Sequence, residues 1–223
     1  MLTFVDEQIQ DLEIEVKEGE NCVVRFAAFS CFNAANIHVK VQKEGTFDGA
    51  FADFSSGEGR VNVLVELLGE GAKASWHYAG ISKEGSNKTI DCSIDHLSPA
   101  TEAEVIQYGI VMGGSRLTFV GTSHIHHGMK RSSTSQQEKI IVFDKDCVGK
   151  CSPNLRIDEN DISASHSAVV GRLSDEHLFY LLSRGLDRDT AKRLLVLGYL
   201  KPVLAHYEGE LAERIQNVIE EGF

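Results

Sequence analysis

The stretch Arg60-Val61-Asn62-Val63-Leu64-Val65-Glu66 places three valines at every second position. Successive side chains of an extended strand point to opposite faces, so Val61, Val63 and Val65 would share one face. The same period of two recurs at Ile37, Val39 and Val41 in 36–42, and at Ile90, Cys92 and Ile94 in 89–95. Each of these stretches is predicted to be a half-buried β-strand.

Turn signals separate these strands along most of the chain. They are Gly45, 56–59 (SGEG), 69–71 (GEG), 85–87 (GSN) and Gly113-Gly114. Glycine suits turns because it adopts positive φ without steric cost. From about residue 20 to about residue 170 no helical period interrupts the pattern, which predicts an all-β body that could be a sandwich, a barrel or a β-solenoid. Because no strict short repeat is visible, a solenoid would be an irregular one.

The pattern changes to helical spacing after Gly171. Ser174 can cap a first helix that Gly185 ends, Asp187 can cap a second that ends near Pro202, and a third is predicted from about Gly209. Their apolar stripes are Leu178, Leu181 and Leu182, then Ala191, Leu194 and Leu195, then Leu211, Ile215, Val218 and Ile219. A helical tail of about 50 residues is too small to be very stable alone. We therefore expect it to dock on the β body, on a partner, or on both.

Composition and charge argue against several classes of function. The 223 residues include 33 acidic and 22 basic side chains, with a formal net charge of -11, which disfavours nucleic-acid binding because phosphate contacts need clustered Lys and Arg. The first stretch of the chain lacks the features of a signal peptide, and no apolar run approaches the roughly 20 residues of a membrane helix. We expect a cytoplasmic protein without membrane insertion, whose five cysteines are free thiols. No P-loop or Rossmann glycine pattern is present, so no directly bound nucleotide is expected.

Two cysteines in the stretch 143–153 are candidate metal ligands. Cys147 and Cys151 lie among charges and turn-forming residues, where Lys145 and Lys150 could lower a nearby thiol pKa. Thiolates are the ligands that iron–sulfur clusters, zinc and copper(I) select. The alternative is that both thiols are incidental, since this spacing is not specific to any metal.

Three histidines form further candidate sites. His124 and His126 would share one face of a strand, and such a pair can chelate one ion. The pair is similar to the metal motif of cupins, although the glutamate that should follow is missing, and the alternative is surface histidines beside a turn. His166 lies among small residues that leave room for a ligand to approach its imidazole. Its alternative is a structural role.

Three stretches near the C-terminus resemble the signature of the SufB/SufD family. They are 152–157 (SPNLRI), followed by Asp161, then 165–171 (SHSAVVG) and 178–186 (LFYLLSRGL). A looser resemblance extends back to about Ser98. SufB and SufD are scaffold subunits of the SUF iron–sulfur cluster assembly machinery. The resemblance therefore implies a scaffold and not an enzyme, with ATPase activity in a partner subunit.

The resemblance also implies a fold and two partners. The family's β body is a right-handed parallel β-helix, which implies a mostly β fold with a β-helix core at 1–172 and a small α-helical segment at 173–223. That segment would dock a SufC-like ABC ATPase through Leu178, Phe179, Tyr180, Arg184 and Gly185. The β-helix would form a dimer with itself or with a SufB/SufD paralogue.

The resemblance further assigns candidate ligands for a transient iron–sulfur cluster. Cys147 falls on the reactive interface cysteine of SufB and His166 on the histidine implicated in SufD, with Cys151 as an additional candidate. The chain departs from SufB at Lys150 and Ser167, where SufB has a histidine and a glutamate, and it has about half the usual length. Two possibilities stay open: a minimal scaffold that pairs with itself, and an adaptor that binds the ATPase without carrying a cluster.

Overall fold

The computed structural model describes residues 1–32 and 34–221, and within them the chain forms thirteen strands followed by three helices. The strands are β1 (Leu2–Val5), β2 (Asp11–Val16), β3 (Asn21–Ala28), β4 (Ala35–Val41), β5 (Thr46–Asp53), β6 (Glu58–Leu67), β7 (Lys73–Ser82), β8 (Asn87–His96), β9 (Glu102–Val111), β10 (Arg116–Ile125), β11 (Ser132–Val142), β12 (Val148–Ile157) and β13 (Ile162–Arg172). The helices are α1 (Asp175–Ser183), α2 (Arg188–Leu204) and α3 (Gly209–Glu221).

The strands build a parallel β-solenoid of about six turns. Odd-numbered strands form a seven-stranded sheet and even-numbered strands form a six-stranded sheet, so each coil contributes one strand to each. All pairings between the named strands are parallel. The β-solenoid expected from the resemblance is confirmed, and the sandwich and barrel alternatives are wrong.

The coils differ in length, which explains why no strict repeat is visible in the sequence. Along the six-stranded sheet one row of register partners is Leu12, Ile37, Val63, Cys92, Gly121 and Pro153. Successive members of this row are 25, 26, 29, 29 and 32 residues apart. The solenoid is therefore irregular, as predicted.

The alternating stretches form the interior of the solenoid. Val39, Val65 and Ile94 are register partners on β4, β6 and β8, and all three are fully buried. Each coil thus stacks its apolar side chains on those of the coil before it. Burial of such stacked side chains is the main favourable contribution to the free energy of folding. The assignment of these residues to one buried face is confirmed.

Two glycines show what the turns between coils demand. Gly85 has a φ of +72°, a conformation that costs glycine nothing. Gly69 lies against the preceding coil so closely that a Cβ there would overlap the backbone nitrogen of Lys43. Turn glycines in this chain therefore serve both tight turns and close contact between coils.

The three predicted helices are present, and they begin and end close to the predicted residues. Ser174 accepts a hydrogen bond from the backbone N–H of His177, and Asp187 accepts bonds from the first turn of α2. The prediction that α2 ends near Pro202 is confirmed: the helix ends at Leu204, so Pro202 lies within its last turn. Pro202 has no backbone N–H, so the carbonyl of Gly198, four residues earlier, lacks its usual helical hydrogen bond.

The helices pack against the outer face of the seven-stranded sheet. Val196, Leu200 and Val203 of α2 share a second buried cluster with Ala79 and Ile110 of the sheet. Hydrogen bonds fix the orientation: the Tyr207 hydroxyl donates to the carbonyl of Phe26 over 2.7 Å, and Arg25 Nε donates to the carbonyl of His206 over 2.8 Å. The helical tail therefore docks on the β body, which was one of the three arrangements expected for it.

The boundary between the two parts lies between β13 and α1, that is, between Arg172 and Asp175. Within residues 1–32 and 34–221, no helix combines the length and the apolar character needed to cross a bilayer.

Candidate functional site

The last coil of the solenoid, β12 with β13, carries most of the candidate ligands. β12 and β13 are edge strands of their sheets, and within residues 1–32 and 34–221 no further coil covers them. Several apolar side chains are exposed as a result, among them Val148, Val169 and Val170. An edge strand presents unpaired N–H and C=O groups together with such side chains, and is therefore suited to pairing with another chain.

The Cys151 thiol faces the interior of the solenoid. Cys151 is in register with Phe119, which is fully buried, and it packs against the main core. Burial, with a smaller contribution from the charge of Glu138, raises the pKa of the Cys151 thiol to about 12. The prediction that nearby lysines lower a thiol pKa is therefore wrong for Cys151.

Cys147 lies in the turn before β12 and is half-buried. Its backbone N–H donates to the carbonyl of Asp144 over 3.3 Å, and its thiol lies 4.0 Å from an oxygen of Asp146. The ligand atoms of Asp144, Asp146 and Cys147 lie within 4.8 Å of one another. Cys147, like Cys151, is half-buried and packs against the main core, and it has carboxylates beside it.

Glu138 is a potential functional residue that the sequence analysis missed. Its side chain is fully buried beside the last coil, where one carboxylate oxygen accepts the backbone N–H of Ser152 over 2.9 Å. Burial raises the pKa of Glu138 to about 7, so the group can gain or lose a proton near neutral pH. The signal was a run of polar residues at every second position of β11, namely Ser132, Thr134, Gln136 and Glu138, which all face inward.

His166 lies on β13 and is exposed. A Cβ on Gly149 would lie 3.2 Å from Val170, so the start of β12 faces the end of β13. Cys147 lies just before Gly149 and therefore near the Val170 end of β13, whereas His166 lies four residues before Val170. The two candidate ligands therefore lie at different positions along the coil. The ligand atoms of Cys147, Cys151 and His166 do not converge within 4.8 Å in the described part of the chain.

Of the residues expected to dock an ATPase, some are buried and others are exposed to solvent. Leu178 is 5% exposed and holds α1 in place, so its side chain is not accessible to a partner. Phe179 and Tyr180 are 71% and 55% exposed, which is unusual for aromatic side chains. The Arg184 guanidinium lies 5.2 Å from the centre of the Tyr180 ring, and Gly185 ends the turn at a φ of +90°.

His124 and His126 lie side by side at the end of β10, with ring centres 3.6 Å apart. Their shared face is confirmed, and Asp95 on β8 completes a group of three ligand atoms within 4.8 Å. The cupin-like interpretation is wrong, because cupins are jelly rolls and the named strands of this chain pair only in parallel.

Comparison with known proteins gives a consistent result. The family described as "SUF system FeS cluster assembly, SufBD core domain" matches residues 13–199. An iron–sulfur cluster assembly protein SufD of Bacillus subtilis is 26% identical over 92% of this chain and 49% of its own length. SufB of the same organism is 23% identical over 94% of this chain and 46% of its own length. A SufBD family protein of Staphylococcus epidermidis is 26% identical over 69% of this chain and 33% of its own length.

The chain thus spans about half the length of the SufB and SufD proteins it matches. The family match covers the solenoid from β2 onward and continues into α2, so it includes both the last coil and the exposed aromatics of α1. The chain belongs to the SufBD core-domain family of the SUF iron–sulfur cluster assembly system.

Proposed function

We propose that this chain is a non-enzymatic scaffold for iron–sulfur cluster assembly, with the cluster as its transient cargo. The observation that carries the proposal is the last coil: Cys151 and His166 lie on its two strands and Cys147 lies in the turn just before it, at an edge that no further coil covers in the described part of the chain. Cysteine thiolates are the usual ligands of iron–sulfur clusters, and histidine replaces them in some. Relatives whose names include iron–sulfur cluster assembly support the same role.

A second chain would complete the ligand set. Within one chain the ligand atoms of Cys147, Cys151 and His166 stay apart. Pairing through β12 and β13 would bury the exposed valines and bring the residues of two last coils together. In a two-fold dimer each of these three residues would be present twice. The partner would be a second copy of this chain or a longer paralogue of the family.

Docking of an ATPase is the second part of the proposal. Phe179 and Tyr180 project from α1 into solvent, and Arg184 lies over the Tyr180 ring. Exposed aromatic and arginine side chains are the residue types that dominate binding energy at protein interfaces. We therefore assign the surface formed by Phe179, Tyr180, Arg184 and Gly185 to a SufC-like ATPase, which would supply ATP hydrolysis to the complex.

One experiment separates the scaffold from an adaptor that carries no cluster. The chain is co-expressed with a SufC-type ATPase, purified anaerobically, and reconstituted with iron and sulfide while visible and Mössbauer spectra are recorded. A scaffold retains the ATPase and gains sulfide-dependent iron absorption. An adaptor retains the ATPase but gains no chromophore, which would overturn the cargo proposal. The double change Phe179→Ala and Tyr180→Ala should abolish ATPase retention, whereas Leu68→Ala, in a distant turn, should not.

A further inference from the structure

Asp95, His124 and His126 form a close group on the outer face of the six-stranded sheet. Asp95 on β8 is the register partner of His124 on β10, and His126 follows β10 directly. His124 Nδ1 lies 3.9 Å and His126 Nε2 lies 3.7 Å from the same oxygen of Asp95. All three side chains are half-buried, so the group is held by the sheet and still accessible to solvent. The group does not include Cys147, Cys151 or His166.

Asp158 determines which nitrogen of His124 is available. His124 Nε2 lies 2.8 Å from an oxygen of Asp158 in the turn after β12. A proton on Nε2 in this hydrogen bond leaves the lone pair of Nδ1 directed toward Asp95. Histidines that bind metals usually donate their other N–H to a carboxylate in this way, which fixes the ring and increases its basicity.

His126 supplies an unsatisfied nitrogen to the same group. Its Nε2 is shielded from solvent and has no hydrogen-bond partner in the described part of the chain. A buried polar atom left without a partner destabilises the folded state, and such atoms in native structures call for an explanation. A ligand between Asp95 and the two imidazoles would supply the missing partner.

We propose that Asp95, His124 and His126 bind one divalent transition-metal ion of the zinc class. Two imidazole nitrogens and one carboxylate oxygen suit Zn²⁺, and three protein ligands leave a fourth position open. Zinc lies about 2.0–2.2 Å from such ligands, so the two rings, now 3.6 Å apart, must separate when the ion binds. The ion would link β8 to β10 and, through Asp158, to the turn after β12. This site is independent of the cluster cargo proposed for the last coil.

The test uses a chain in which Cys147 and Cys151 are both changed to Ser, so that the thiols cannot bind the ion. Zn²⁺ is titrated into this chain by calorimetry, and Co²⁺ is titrated while its visible absorption is recorded. We expect one ion per chain and a rise in the thermal unfolding midpoint when Zn²⁺ is bound. NMR of the imidazole nitrogens should show binding through Nδ1 of His124 and Nε2 of His126.

Two ligand variants and one matched control make the test decisive. His126→Gln and Asp95→Asn should each weaken binding at least tenfold, whereas His127→Gln, in the adjacent exposed histidine, should leave it unchanged. Circular dichroism of the metal-free proteins shows whether each variant folds. If His126→Gln does not fold, Asp95→Asn provides the test of binding. Stoichiometric binding that survives both ligand variants, or the absence of binding in the parent chain, would overturn the assignment.

Discussion

Gln136 and His166 are register partners on β11 and β13, yet only one of them is covered by another coil. Register partners on parallel strands point to the same face, so both side chains face the inner side of the sheet. Gln136 is 3% exposed, whereas His166 is exposed because β13 is the edge of the sheet. The environment that surrounds Gln136 is therefore missing around His166, and a second chain could provide it.

Pairing at this edge should depend on the apolar side chains of β13. Val170 is 46% exposed and, as the register partner of the buried Ile140, faces inward. Val170→Asp would place a charge in the paired interface, where it would lack a partner and be costly to desolvate. We expect at least a tenfold weaker dimer, or loss of pairing with a paralogue, measured by analytical ultracentrifugation. Leu68→Asp, in the turn after β6, is the control; equal weakening by both changes would contradict pairing through β13.

The Glu138 carboxylate should control the reactivity of Cys151. Its charge contributes, after burial, to the raised pKa of that thiol. Glu138→Gln keeps an oxygen for the Ser152 N–H and removes the charge, so the pKa of Cys151 should fall. Alkylation of Cys151 by iodoacetamide at pH 8.5, followed by mass spectrometry, should become severalfold faster, because the thiolate is the reactive form. Exposed Cys31 is the internal reference, and an unchanged ratio of the two rates would contradict this coupling.

The contact between the helical segment and the solenoid should weaken in mild acid. His77 on β7 and His206 after α2 stack with ring centres 4.0 Å apart. Burial is the main cause that lowers the pKa of both imidazoles. The charge of His206 lowers the pKa of His77 further, and the charge of Arg25 does the same to His206. Asp48 and Glu104 oppose this by raising both pKa values. Unfolded histidines titrate near pH 6.5, so between that pH and the lower folded values the unfolded chain binds more protons. Stability is then complete above about pH 6.5 and falls as the pH decreases below it.

Thermal unfolding at several pH values checks this expectation. The unfolding midpoint should fall between pH 7.5 and pH 5.5, and His206→Gln should reduce that fall by removing one of the two titrating rings. His127→Gln, which changes an exposed histidine away from the contact, should leave it unaltered. A pH dependence that is the same in all three proteins would show that the stacked pair does not cause it.

A fully buried ion pair inside the solenoid should be costly to break. Lys88 Nζ lies 2.8 Å and 3.0 Å from the two carboxylate oxygens of Asp53 and donates to the carbonyl of Ser55 over 2.7 Å. Lys88→Met leaves the carboxylate buried without its counter-charge, which costs about 3–5 kcal/mol. Urea unfolding of both single variants and of the double variant measures the loss of free energy of unfolding. Lys88→Met should show the full loss, and Lys88→Met combined with Asp53→Asn should show a smaller one. If the loss in the double variant equals the sum of the losses in Lys88→Met and Asp53→Asn, the two side chains are not coupled, which would contradict this expectation.

The sequence predicts the strands well because their inner faces are apolar at every second position. Val39, Val65 and Ile94 could be assigned to one buried face from alternation alone. Alternation cannot choose between a sandwich, a barrel and a solenoid, since it describes one strand and not its neighbours. That choice came from the resemblance, because coils of unequal length produce no visible repeat.

The candidate site was only partly predictable from the sequence. Cys151 and His166 lie on the last coil and Cys147 lies in the turn just before it, without converging on one point, which the motif spacing alone does not show. Glu138 was missed because a polar residue on an inner face looks like a solvent-facing one, and Asp95 was missed because its neighbour His124 is 29 residues away in sequence. Such contacts between coils depend on register, and register depends on the lengths of turns that the sequence does not reveal.

Iron and sulfide content after anaerobic reconstitution tests the central claim most directly. The measurement compares the unaltered chain with Cys147→Ala and with Cys31→Ala, which removes an exposed thiol in an early coil. If the last coil holds the cluster, the unaltered chain and Cys31→Ala bind equal amounts of iron and sulfide, and Cys147→Ala loses most of both. If Cys147→Ala holds as much cluster as the unaltered chain, the assignment of the cluster to Cys147 in the last coil is contradicted.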